Sequence, residues 1–203
     1  MKNSKKIFWA KPSIKEEEIS AITKVAKSNW MTQGSVTQQL EKNLCKKFNV
    51  KNAVVTNNGT SSLICALLAH GIKPGDEVLV PSFTFVSTVN SILSIGAKPV
   101  LVDSNSRTFN TEIKFLKQKM SKKTRAIMPV DVSGMPVDIS EMIEFADKNN
   151  LIMIEDAAEA IGAKYKNKKI GSFGHSTIFS FHMAKVVSGI EGGCILTDNS
   201  KIA

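Results

Sequence analysis

Arginine is nearly missing from this sequence. Arg107 and Arg125 stand alone among 27 basic residues, so the formal charge of +9 is carried by lysines scattered along the chain. Proteins that read bases and phosphate backbones concentrate arginine on one element. Scattered lysine is the pattern of a solvated surface, and no nucleic-acid partner is expected. Cysteine is scarce as well. Cys45, Cys65 and Cys194 are odd in number, far apart and set among apolar residues. That argues against a disulfide framework or a metal site and for buried thiols in a reducing compartment. No apolar run approaches the roughly 20 residues of a membrane span. The opening "MKNSKKIFWAKPSIKEEE" has basic residues but not the apolar core of a secretory signal. A cytoplasmic protein with no membrane partner is expected.

What is present fits one sizeable core: 203 residues, 42% hydrophobic and 22% charged. Short runs rich in Val and Ile alternate with stretches of helical period. Strands are expected over 53–56, 77–80, 98–103, 125–130, 151–156, 176–181 and 193–197. Helices are expected near 14–28, 37–47, 60–70, 84–95, 111–119 and 139–149. This alternation predicts βαβ units and an α/β fold of three layers, α/β/α, around a mostly parallel sheet. No repeat, linker or low-complexity segment divides it, and the chain stops at Ala203 just after a strand.

Ligands in open α/β sheets bind at the carboxyl ends of the parallel strands, and four segments fall at such ends. In "TNNGTSSL" a strand gives way to Asn57, Asn58 and Gly59, and Thr60, Ser61 and Ser62 open a helix. Free N–H groups and the helix dipole make an anion site there; the plainer alternative is a capped helix after a tight turn. "VPSFTFVST" sets Phe83 and Phe85 at a strand-to-helix junction, where one ring can face a cleft instead of the core. "LIMIEDAAEAIGA" delivers Glu155, Asp156 and Glu159 from an apolar strand. A carboxylate so placed needs a partner, or desolvation neutralises it; Asp156 either caps a short helix over 157–161 or meets a cation in the cleft. In "FSFHMAKVVSGIEGG", Lys185 follows Ser180 between two core strands, where a neutral amine is a nucleophile toward aldehydes. A phosphate cradle, an aromatic plate, a carboxylate for a ring nitrogen and a lysine for an aldehyde together match pyridoxal 5'-phosphate.

The same segments, with "GDEVLVPSFTFVSTVNSILSIGAKPVLVD" and "IMPVDVSGMPVDI", resemble the DegT/DnrJ/StrS sugar-nucleotide aminotransferases, fold-type-I pyridoxal-phosphate enzymes, from about residue 8 onward. The resemblance implies an N-terminal arm over 1–12 and a cofactor-binding large domain over 13–203, incomplete and without the small C-terminal domain. It implies that Lys185 forms the Schiff base and Asp156 holds the pyridinium nitrogen charged, both as catalytic residues. Gly59, Thr60, Ser61 and Ser180 would bind the phosphate, and Phe85 would stack on the ring. Glu159 stands where the family usually has Gln or His near the cofactor's phenolic oxygen, a variant similar to perosamine-synthase-like members. The implied activity is amino transfer, from glutamate, to a keto group of a nucleotide-linked deoxyhexose. Such a reaction makes amino sugars for surface polysaccharide or glycan biosynthesis, in a homodimer with shared active sites. Two alternatives stand beside it. One is a pyridoxal-phosphate-dependent sugar dehydratase, against which Lys185 argues because such members can carry histidine there. The other is an inactive fragment or a binding or regulatory module on the same fold.

Overall fold

The structure is a computed structural model and describes residues 8 and 10–203. Residues 1–7 and 9, most of the expected arm over 1–12, lie outside the described residues. Two helices come first, α1 (Glu16–Lys27) and α2 (Ser35–Phe48). Strands and helices then alternate: β1 (Asn52–Thr56), α3 (Gly59–Ala69), β2 (Glu77–Pro81), α4 (Val86–Ser94), β3 (Lys98–Val102), α5 (Ile113–Lys119), β4 (Thr124–Ile127), α6 (Ile139–Lys148) and β5 (Ile152–Asp156). A two-stranded hairpin, β6 (Lys164–Tyr165) and β7 (Lys168–Lys169), precedes β8 (Ser176–Ser180) and β9 (Gly193–Thr197).

Seven strands form one sheet in the order β1-β9-β8-β5-β4-β2-β3. Pairing is parallel from β8 through β3, and β9 runs antiparallel to both of its neighbours. The other six strands therefore point the same way, and their carboxyl ends share one edge. Strands β2, β8 and β9 are buried at all five positions. A sheet covered on both faces demands such unbroken apolar runs instead of alternation. One core lies on the side of α2, α5 and α6, with Phe48, Leu116, Met142 and Phe145. The other lies under α3 and α4, with Leu63, Leu67 and Ile92. Helix α6 shows the local logic. Asp138 caps it by accepting the Glu141 N–H at 3.1 Å, and Ile139, Met142, Phe145 and Ala146 form its buried stripe.

The expected three-layer fold and every expected strand and helix of the sheet are present, with four departures. No helix forms over 157–161, which is a pair of turns. Strand β4 stops at Ile127, short of 130; Pro129 offers no N–H, although Val130 still bridges to Asp156. The β6–β7 hairpin turns on Lys166 (φ 46°) and Asn167 (φ 65°), both left-handed as a two-residue turn requires, but without the Asn-Gly pair that announces one. Finally, only Cys194 is a buried thiol. Cys45 is half-buried and Cys65 sits on the exposed face of α3; all three are free.

Candidate active site

The shared edge of the sheet opens into a cleft of about 650 Å³. One wall is the start of α3. Asn58 caps that helix through its side-chain oxygen, which accepts the Ser61 N–H at 2.8 Å. Thr60 Oγ1 donates to Ser87 Oγ at 2.9 Å and so ties α3 to α4. Two glycines let this wall close. A Cβ at position 59 would stand 3.0 Å from the Cβ of Ser180. One at position 193 would stand 2.6 Å from the Asn58 carbonyl carbon, closer than real atoms approach. Backbone therefore packs directly on backbone between the α3 start, β8 and β9. Ser180 is buried and its hydroxyl accepts the His182 N–H at 3.3 Å.

Asp156 ends β5 on the cleft floor. It is 5% exposed; one carboxylate oxygen accepts from Thr88 Oγ1 at 2.7 Å and the other from the Ala158 N–H at 3.2 Å. Burial pushes its carboxyl above the ordinary range, while the bonds from Thr88 and Ala158 and the charge of Lys185 pull the other way. Such a group is held in place by neutral donors and, among the described residues, has no cation within ion-pair distance, which is the environment a protonated ring nitrogen completes. Asp156 does not cap a helix, since none follows it.

Lys185 enters from the β8–β9 loop, fixed by its own N–H to the His182 carbonyl at 2.8 Å. Its ammonium lies 3.2 Å from Glu159 Oε1, and Glu159 Oε2 accepts the Ser133 N–H at 2.9 Å. Phe85 precedes α4 and is 73% exposed, so this ring lines the cleft and is not part of the core. Phe83 lies beside it and stacks on Phe109 with ring centres 4.9 Å apart. Among the described residues no three His, Cys, Asp or Glu side chains are placed to hold a metal ion.

The cleft thus gathers Gly59, Thr60, Phe85, Asp156, Glu159, Ser180 and Lys185, seven of the eight positions singled out from sequence. Ser61 is the exception. Its N–H is engaged by the Asn58 cap, and the residue does not line the cleft. Sequence reasoning missed Thr88, Ser87 and Ser133. Thr88 falls three residues after Phe85, the helical spacing that returns a hydroxyl toward the strand ends. Ser133, at φ 51°, was signalled only as part of a Ser-Gly turn. The parts that fit pyridoxal phosphate are the donor set of a helix start with hydroxyls, an exposed ring, a buried acid without a close cation and a lysine in reach of a neighbouring carboxylate.

Comparison with known proteins agrees. GDP-perosamine synthase of Caulobacter vibrioides is 40% identical over 204 residues, which take in 100% of this chain and 55% of that protein. Helicobacter pylori PseC, an aminotransferase involved in the biosynthesis of pseudoaminic acid, matches at a TM-score of 0.92 and 30% identity over 98% of this chain and 54% of its own. The PLP form of Streptococcus pneumoniae Spr1654 matches at 0.92 and 30% over 97% of this chain and 54% of its own. The chain spans about half the length of the relatives it matches. A family model covers residues 12–203, from before the first helix to the last residue, and by it the chain belongs to the DegT/DnrJ/EryC1/StrS aminotransferase family.

Proposed function

We propose that residues 13–203 are the cofactor-binding large domain of a cytoplasmic pyridoxal-phosphate enzyme. It passes an amino group from glutamate to a keto carbon of a nucleotide-linked deoxyhexose. The observation that carries this is the convergence of Lys185, Asp156 and Phe85 on one cleft opposite the start of α3. Likeness to a perosamine synthase and to PseC supports a nucleotide sugar as acceptor. Bound pyridoxal phosphate supplies an electron sink for the pair left behind when a proton leaves carbon.

The chain's own residues do the rest. Lys185 would hold the cofactor's aldehyde carbon covalently, and its amine would carry a proton between the donor's α-carbon and that carbon. Asp156 keeps the ring nitrogen protonated, with Thr88 and the Ala158 N–H fixing the carboxylate's direction. Gly59, Thr60 and Ser180 receive the phosphate at the positive end of α3, and Phe85 covers one face of the ring. Glu159 holds the Lys185 ammonium in the free site and must release it when the lysine becomes bonded to the cofactor.

A homodimer with shared active sites is part of this reading. Helix α1 has no buried residue, Ile19 and Ile22 on it are exposed, and Val86 and Leu93 of α4 are exposed as well. Apolar surface of this extent is what an interface covers.

Borohydride reduction of the chain with pyridoxal phosphate, followed by peptide mass mapping, tests the reading. The cofactor should be found on Lys185 and not on the Lys185→Ala variant. Labelling of another lysine that persists in that variant would overturn it.

A further inference from the structure

Beneath Asp156 the core contains two carboxyl groups that the proposed chemistry does not use. Asp131, just after β4, is 0% exposed, and Glu155, in β5, is 1% exposed. Each is half satisfied. Asp131 Oδ1 accepts the Val137 N–H at 3.0 Å, and Glu155 Oε2 accepts from Thr177 Oγ1 at 2.7 Å. The other oxygens, Asp131 Oδ2 and Glu155 Oε1, are buried with no donor among the described residues. Val130 bridges to Asp156 in parallel register and the Asp131 N–H donates to the Asp156 carbonyl, so Asp131 and Glu155 lie side by side on the same face of the sheet. As two carboxylates they would be facing acceptors with nothing to accept, at a cost that buried polar groups seldom bear. One proton between them satisfies both oxygens at once.

We propose that Asp131 is a neutral acid at physiological pH and donates its proton to Glu155, forming a buried proton-sharing pair that positions the strand end carrying Asp156. The geometry around the pair gives it that task. The Asp131 N–H donates to the Asp156 carbonyl at 3.1 Å, and Glu155 is the residue before Asp156. The loop beyond Asp131 is clasped by Asn110, which accepts the Val132 N–H at 3.1 Å and donates to the Met135 carbonyl at 2.8 Å. That loop carries Ser133 to Glu159. A proton at Asp131 thus joins β4, β5 and the loop that steadies the Lys185 partner. Asp131 is a positioning residue, because it acts through Asp156 and Glu159.

The electrostatics agree in sign. Burial, and next the Glu155 charge, push the Asp131 carboxyl up to about 9; burial pushes Glu155 up to about 7. Among the described residues the further charge facing the pair is Asp156, at the end of β5, and it raises both; Thr177 from β8 and the Val137 N–H are neutral donors. An acid whose folded value lies above its unfolded one binds more protons when folded, so its contribution falls as pH rises. For Asp131 the window runs from its ordinary 3.8 to about 9.

The inference rests on the proposed role only in giving Asp156 a task, and its test needs no cofactor. Infrared spectra of the 203-residue chain near pH 7 should show the carbonyl stretch of a protonated carboxyl that moves on aspartate-specific ¹³C labelling and vanishes in Asp131→Asn. Urea midpoints should fall from pH 5 to pH 9 in the parent and fall less in Asp131→Asn, whose amide still donates to Glu155. Asp131→Leu, which leaves Glu155 without a donor, should be clearly less stable than Asp131→Asn or fail to fold. A missing aspartate band, an unchanged pH slope, or an Asn variant as damaged as the Leu variant would each overturn the pair. Failure of Lys185 labelling with these results intact would sink the proposed function alone.

Discussion

The two walls of the cleft satisfy their polar groups in opposite ways. At the α3 start the partners are neighbours in sequence: Asn58 caps through Ser61, and Thr56 Oγ1 donates to the Asn58 carbonyl at 2.9 Å. On the floor most side-chain partners are remote. Asp156 takes Thr88 from 68 residues away, and Glu159 takes Ser133 and Lys185 from 26 residues away on either side. The first wall caps its own helix start locally, and Thr60 and Gly193 join it to α4 and β9. The floor is assembled from four segments and is short of positive charge. A region of the first kind suits binding a fixed anion, and one of the second suits chemistry in which protons move.

The sharpest break in that comparison is a change at the floor. Asp156→Asn should leave the fold intact, because an amide still accepts from Thr88, yet slow the glutamate half-reaction by about two or more powers of ten. Stopped-flow absorbance of the cofactor measures it, and a loss of only a few-fold would reduce Asp156 to a structural acceptor. Next comes the seam between the walls. Gly193→Ala brings a methyl to 2.6 Å from the Asn58 carbonyl carbon, where only backbone can yield. We expect a loss of about 1–3 kcal/mol, the scale of overpacking, read as a lower urea midpoint with an unchanged slope.

A milder change sharpens the contrast. Glu159→Gln keeps an acceptor for the Ser133 N–H but removes the ion pair that holds the Lys185 ammonium, so the fold should persist while cofactor loading becomes a few-fold faster. Stopped-flow absorbance of loading at one fixed pH decides this; an unchanged rate would show that the ion pair has no bearing on loading. The smallest effect belongs to the local wall. Asn58→Ala removes one cap, worth about 1 kcal/mol, or roughly 2–4 °C in melting temperature for a chain of this size. A much larger drop would mean that the cap supports more than its own helix start.

The same contrast explains what could be read in advance. The strands of the sheet were legible because burial on both faces writes them as unbroken Val and Ile runs, as in "EVLVP" and "GCILT". Lys185, Asp156 and Phe85 were legible because each lies at or just beyond the carboxyl end of a strand, where the fold class places ligands. Ser61 was read as a phosphate contact because its type suits the task, yet a cap three residues earlier had claimed its N–H. Thr88 was not singled out, because its carboxylate partner lies on another element and its helical spacing from Phe85 is the one local mark it carries. Asp131 was silent for the same reason: "PVDVSG" looks like a turn until β5 is laid beside it. The hairpin at 164–169 was missed because Lys-Asn carries the left-handed turn in place of Asn-Gly.

The reversed strand β9 has a consequence for how the molecule is made. It lies between β1 and β8, so among the described residues β1 has no other neighbour in the sheet, and Asn52 meets Thr197 across 145 residues of chain. A ribosome adds about 5–20 residues per second, so β1 waits on the order of 10 s for β9 to emerge. Through that interval α3, which packs on β9, has an unfinished seat, while β2, β3, β4 and β5 can already pair with one another. Nascent chains held at that stage should expose the apolar underside of α3 and be the species that chaperones bind. The wall whose cap is the most local in sequence is thus secured only after the rest of this sheet has paired.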